Sequence, residues 1–185
     1  TSSNAEKIVR NFEPERPLLF VPDRNLGAYL VKCTGRPMTL WQGACVVHEQ
    51  YGDREIVQLR ERHSGQGAVE IIAHPECDAA VLRHADFVGS TTALLEYAKR
   101  SRAQTLIVAT EPGILHPMRR SRPDLTIVEA PSEDASCKCN LCPHMKRNTL
   151  EKIYLCLRDL EPRIEIDRAT MDAARIPIER MLSMS

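Results

Sequence analysis

Two stretches that are apolar almost throughout constrain this chain more than any other feature. Val69-Glu-Ile-Ile-Ala73 is closed by His74-Pro75-Glu76, and Thr105-Leu-Ile-Val-Ala109 is closed by Thr110-Glu111-Pro112-Gly113. Near-continuous apolar runs of strand length belong to strands covered on both faces, as in parallel sheets. Further short strands are expected at Leu18–Val21, Met38–Trp41, Asp86–Val88 and Thr126–Val128. Helical patterns lie between them, at Leu26 to Cys33, Arg54 to Arg62, from the Asp78 cap to His84, and at Thr92 to Arg100. Strands alternating with helices predict βαβ units and an α/β fold with parallel sheets.

In such folds ligands gather outside the carboxyl ends of the strands. The chain places its chemically unusual residues there: Asp23, Cys45, His48, His74, Glu76, Ser90, Thr91, Glu111 and a cysteine loop. A faint repeat accompanies this. Three strands end in an acid beside a proline, at Pro22-Asp23, Pro75-Glu76 and Glu111-Pro112. Each is followed by a helix, a second strand and a polar loop, holding Cys45, Ser90-Thr91 and Cys142 respectively.

Charge and composition exclude several function classes. Lys plus Arg is 25 and Asp plus Glu is 25, so the net charge is zero, which argues against a general electrostatic role on nucleic acid or a membrane surface. Aromatic residues are 4%, too few for a base-stacking platform. There is no apolar run of transmembrane length and no visible signal peptide. The odd count of seven cysteines reads as cytosolic thiols and ligands, not a disulfide framework, and the expected location is cytoplasmic. The chain opens Thr1-Ser2-Ser3-Asn4 without a methionine, which fits a fragment or a processed chain.

The Cys137-Lys-Cys139-Asn-Leu-Cys142-Pro-His144 loop is the densest cluster of ligand-type side chains. Flanked by Lys138, Asn140 and Pro143, it does not lie on an apolar stripe. A zinc site there would take His144 or Cys45 as its fourth ligand; an iron–sulfur cluster would also use these thiolates. Cys45 and His48 follow a strand end and, alone, read as a buried thiol and a histidine bonded to a carbonyl. His74 and Glu76 flank one turn, where an imidazole and a carboxylate can share proton transfer; a solvated turn is the plainer reading. Gly89-Ser90-Thr91-Thr92 opens a helix and suits either a bound carboxylate or phosphate or simple capping. Behind the loop a helix is expected with Asn148 as its N-cap, its inward stripe being Leu150, Ile153, Tyr154, Leu157 and Leu160. Asp167 caps a further helix and Pro177 opens a final one, and this tail is expected to pack across the sheets. Cys33 and Cys156 read as core packing.

Taken together, these motifs resemble the quinolinate synthase family. The matching stretches are Thr1-Ser-Ser-Asn-Ala5, Pro22-Asp-Arg-Asn-Leu-Gly27, Trp41-Gln-Gly-Ala-Cys-Val-Val-His48, His74-Pro-Glu-Cys77, Val88-Gly-Ser-Thr-Thr92, Thr110-Glu-Pro-Gly-Ile-Leu-His116 and Cys137 to Asn148. The resemblance implies repeated small three-layer αβα domains, pseudo-symmetric, with the active site between them. It implies a domain over 1–92 carrying Cys45 and another over 93–185 carrying the Cys137–Cys142 loop and the C-terminal helices. It implies a [4Fe–4S] cluster held here by Cys45 and Cys142, with Cys137 and Cys139 accessory. The implied reaction condenses iminoaspartate with dihydroxyacetone phosphate to quinolinate, in NAD biosynthesis. Glu76, His74 and His48 would be catalytic, and Ser2, His48, His74, Glu76, Ser90 and Thr91 would bind substrate. The family's first domain, with the third cluster cysteine, has no counterpart in this sequence, so the chain is expected to hold a cluster poorly alone.

Overall fold

The computed structural model describes residues 1–133 and 140–185. In chain order the elements are α1 (Ala5–Arg10), β1 (Leu19–Phe20), α2 (Arg24–Thr34), β2 (Thr39–Leu40), α3 (Asp53–Ser64), β3 (Val69–Ala73), α4 (Ala79–Leu82), β4 (Phe87–Val88), α5 (Thr91–Arg100), β5 (Thr105–Ala109), α6 (Leu115–Ser121), β6 (Thr126–Glu129), α7 (Leu150–Asp159) and α8 (Arg168–Met184). Short 3₁₀ turns lie at His48–Gln50, Pro112–Ile114 and Met145–Arg147.

All ladders between these strands are parallel. β1 pairs with β2, and a four-stranded sheet runs in the order β4-β3-β5-β6. Its side chains alternate between two covered faces, as the continuous apolar runs require. Val69, Ile71, Ala73, Ile107 and Ala109 pack with Ile56 of α3, Val81 of α4 and Tyr51. Ile72, Leu106, Val108 and Ile127 pack with Leu94 and Ala98 of α5 and with Leu115 and Met118 of α6. The result is a layered α/β structure in which a helix layer covers each face of the sheet.

A smaller unit precedes it. Ala5 and Val9 of α1 meet Leu26 and Leu30 of α2, with Leu18, Phe20 and Met38 beside them. Helix α2 lies close on its strands. A Cβ on Gly27 would stand 2.6 Å from Leu40 Cδ2 and 2.9 Å from Phe20 Cδ1, so a side chain there would force the layers apart. The three acid–proline strand ends each begin a strand–helix–strand unit: β1-α2-β2, β3-α4-β4 and β5-α6-β6. The four-stranded sheet takes β3 and β4 from before residue 92 and β5 and β6 from after it, so a division at 92/93 runs through this sheet.

The C-terminal third departs from expectation in three respects. Helix α7 is capped by Thr149, whose Oγ1 accepts from Lys152 N, while Asn148 closes the preceding 3₁₀ turn. Helix α8 runs unbroken through Pro177, without a new start there. The tail does not pack across the sheets: Leu150, Ile153, Tyr154, Leu157 and Leu160 are all exposed, and α8 meets the N-terminal segment, where Asn4 Nδ2 donates to Ser185 Oγ at 2.8 Å and the Arg180 guanidinium lies 5.4 Å from the Phe12 ring centroid. Cys33 and Cys156 are likewise exposed, because Leu26 and Leu30 take the inner face of α2 and no residue of α7 is buried. Among the described residues no helix is long and apolar enough to cross a membrane.

Candidate active site

The buried polar side chains concentrate at the carboxyl edge of the strands. Asp23, His48, His74, Thr110 and Asn140 are all buried there. Buried polar groups are costly unless partnered, so their bonds define what this edge is built for.

Asp23 follows β1 and uses both carboxylate oxygens. Oδ1 caps α2 by accepting from Leu26 N at 2.8 Å, and Oδ2 accepts from Cys45 N at 2.9 Å. The second bond fixes the loop after β2 and so places Cys45. Arg24 N donates to Gly43 O at 2.8 Å and ties the same two loops. One turn later His48 is carried inward by the 3₁₀ turn. Its Nε2 shares a hydrogen bond with Thr110 Oγ1 at 3.0 Å, at the end of β5. Tyr51 OH donates to Thr110 O at 2.5 Å and holds that strand end from below.

The end of β3 supplies the opposite wall. His74 N donates to Ala109 O at 3.0 Å, extending the ladder one residue past the strand. Glu76 N donates to His74 Nδ1 at 3.3 Å, which makes Nδ1 the acceptor and leaves Nε2–H to donate to Ser2 Oγ at 3.1 Å. The His48 and His74 rings stack with centroids 4.5 Å apart and planes 18° apart. Glu76 Oε2 lies 3.1 Å from His48 Nδ1 and 3.8 Å from His74 Nδ1. Asn25 Nδ2 donates to Glu76 O at 3.1 Å and steadies the turn.

Charge is distributed unevenly over the two rings. Burial works against the charged form of His48, but contact with Cys45 and Glu76 outweighs it and raises its pKa to about 9. Burial and the neighbouring His48 charge push His74 down to about 4, against the pull of Glu76. Contact with His48 holds Glu76 below its ordinary range, with burial opposing. Contact with His48 also lowers the Cys45 thiol, again against burial. The site therefore pairs a protonated His48 with an ionised Glu76 beside a neutral His74, and favours thiolate at Cys45.

The sequence-predicted residues fall in three groups. Cys45, His48, His74, Glu76 and Ser2 converge. Ser90 and Thr91 stand at the end of the adjacent strand: Gly89 N donates to Ala73 O at 3.1 Å, and Ser90 Oγ caps α5 by accepting from Ala93 N at 3.3 Å. Among the described residues no hydrogen bond joins these two to the histidines. Cys142 is half-buried and packs on the same face of the sheet as Cys45. Its loop is anchored by Asn140, whose Nδ2 donates to Ala130 O at 3.0 Å and Glu129 Oε1 at 2.9 Å, and by Lys146, 3.1 Å from Glu111 Oε1. Cys137 and Cys139 lie outside the described residues, and His144 is exposed. Sequence reasoning missed Thr110, Tyr51, Asn25 and Asn140 as supports. The strand-end rule alone could have singled out Thr110.

The family model described as quinolinate synthetase A protein matches residues 1–183. The quinolinate synthase of Thermosynechococcus vestitus is 54% identical over 185 residues, covering 100% of this chain and 57% of that protein. That of Microcystis aeruginosa is 52% identical with the same coverage, and that of a Synechococcus strain is 51% identical. The chain thus spans 57% of the length of these curated relatives.

Proposed function

The chain belongs to the quinolinate synthetase A family, and from that premise we propose that it forms the larger share of a quinolinate synthase of NAD biosynthesis, in the cytoplasm. The reaction is condensation of iminoaspartate with dihydroxyacetone phosphate, releasing phosphate and water. One observation carries this reading: Cys45, His48, His74, Glu76 and Ser2 meet at one strand edge in a chain whose whole length matches the family.

The thiols fit a [4Fe–4S] cluster. Cys45 and Cys142 are both free, half-buried and seated against one apolar core face, and Cys45 is already biased to thiolate. These two would hold it, with a third cysteine from the length of the relatives that this chain does not span. Bound there with an open iron, the cluster supplies a Lewis acid for a substrate oxygen.

The protein side chains have separate tasks. Protonated His48 holds a proton at Nδ1 for a departing hydroxyl, and Glu76 beside it accepts one from a substrate carbon. His74, kept neutral, orients a substrate oxygen together with Ser2 Oγ. Ser90, Thr91 and the N-terminus of α5 receive a carboxylate. Burial of both rings, His48 at 7% and His74 at 6% exposure, keeps bulk water from the exchanged protons.

The test is quinolinate formation from the two substrates by the complete enzyme carrying this sequence, assayed without oxygen. Formation that falls sharply in His48→Gln and Glu76→Gln supports the assignment. Full turnover in both variants overturns it.

A further inference from the structure

We propose that in the cluster-free chain Cys45, His48 and Glu76 form a mononuclear zinc site, distinct in ligands and stoichiometry from the cluster and alternative to it, because both need the Cys45 thiolate. The three donor atoms, a sulfur, a ring nitrogen and a carboxylate oxygen, all lie within 4.8 Å of one another. Zinc bonds of about 2.0–2.3 Å set tetrahedral donors roughly 3.5 Å apart. The His48 Nδ1 to Glu76 Oε2 separation of 3.1 Å is already close to that, and the thiol needs a shift of about 1.3 Å at most.

A second observation points the same way. His48 Nδ1 is sealed from solvent and has no partner of hydrogen-bond geometry, although Glu76 Oε2 is 3.1 Å away. A buried ring nitrogen facing a carboxylate and a thiol suits a cation that all three can share, zinc displacing the proton that Nδ1 holds in the metal-free chain. The other ring nitrogen is already held by Thr110 Oγ1 at 3.0 Å, as the outer nitrogen of a metal-bound histidine usually is. Asp23 Oδ2 pins Cys45 through its backbone, and Asn25 pins Glu76 through its carbonyl, so two donors arrive on fixed chain.

The donor chemistry selects the metal. Thiolate and imidazole favour zinc over magnesium or calcium. Thiolate and carboxylate together neutralise a divalent ion, which lowers the cost of holding it in a buried place. Three protein ligands leave a fourth position for water or a substrate oxygen, the arrangement of an open zinc site. Cys142 is not among the grouped donors, which separates this site from a zinc held by the cysteine loop.

The experiment is anaerobic titration of the metal-free, reduced chain with cobalt(II) chloride, followed by displacement with zinc chloride. One cobalt per chain is expected, with a thiolate-to-cobalt charge-transfer band and the visible bands of tetrahedral cobalt, all bleached by one equivalent of zinc. Cys45→Ser should abolish the charge-transfer band. His48→Gln and Glu76→Gln should each weaken zinc affinity at least tenfold while the circular dichroism spectrum stays unchanged. Cys142→Ser should leave band and stoichiometry intact. A band that survives Cys45→Ser, or disappears with Cys142→Ser, overturns the proposal, as does absence of a cobalt band. The cluster reading fails separately, because iron and sulfide uptake requires Cys142 and the zinc site does not.

Discussion

Strands β3 and β5 lie side by side in register, with Ala73 opposite Ala109, and each ends in an acid next to a proline. The two acids have different fates. Glu111 is spent on structure: Oε2 accepts from Gly113 N at 2.7 Å to cap its 3₁₀ turn, and Oε1 lies 3.1 Å from Lys146 Nζ. Glu76 caps nothing, because Asp78 takes that role for α4 by accepting from Ala80 N at 2.7 Å. With the cap delegated two residues along, the Glu76 carboxylate is left to face His48 and His74. An acid at a strand end is left to face other side chains when another residue satisfies the helix behind it.

The largest effect should separate these acids in turnover. Glu76→Gln is expected to lower quinolinate formation by the complete enzyme about 10²–10⁴-fold. Glu111→Gln should lower it less than about tenfold. Equal losses in steady-state assays of the two variants would erase the distinction.

Next in size is the pH dependence of stability in the metal-free chain. His48 is raised from 6.5 to about 9, so between those values the folded state binds more protons. Its stabilisation is complete below about 6.5 and is lost as pH rises through about 9. His74 is lowered from 6.5 to about 4, so in that window the unfolded state binds more protons and stability falls as pH falls. Glu76, held low, adds to the acid-side loss as pH drops through its folded pKa. Urea unfolding across pH should therefore peak near neutrality, with a loss on the order of 3 kcal/mol on each side. His48→Gln should remove the alkaline limb and shrink the acid limb, because contact with His48 helps lower both Glu76 and His74.

Smaller effects belong to the structural acids. Asp23→Ala loses a helix cap and leaves Cys45 N without its acceptor, an expected cost of about 1–3 kcal/mol in thermal unfolding. Asp78→Ala should cost about 1 kcal/mol through α4 and leave the His48–Glu76 pair untouched. A change in the alkaline limb of the pH profile in this last variant would show that cap and site are not independent.

Much of this was legible in the chain. Continuous apolar runs at 69–73 and 105–109 announced strands covered on both faces, and both lie in the middle of the four-stranded sheet. The acid–proline ends marked the edge where buried polar groups gather. Pairing was not legible: nothing in the spacing says that His48 meets Thr110 from β5, or that Ser2 meets His74 from a stretch 72 residues away. These contacts depend on which strands are neighbours. The tail misled for a related reason. Periodicity in α7 reports an amphipathic helix correctly, with Leu150, Ile153 and Leu157 at helical spacing, but it cannot say what covers that stripe. Thr149 displaced Asn148 as the cap because adjacent residues competed for it and only Thr149 Oγ1 reaches Lys152 N.

The central claim is that Cys45 and Cys142 are ligands of one cluster. Its most direct test is iron and sulfide analysis of this chain, purified without oxygen and mixed with the segment of a curated relative that it does not match, for the unaltered sequence and for Cys45→Ser and Cys142→Ser. We predict iron and sulfide in equal amounts in the unaltered mixture and near-complete loss in either variant. Retention of both elements in either variant would contradict the account.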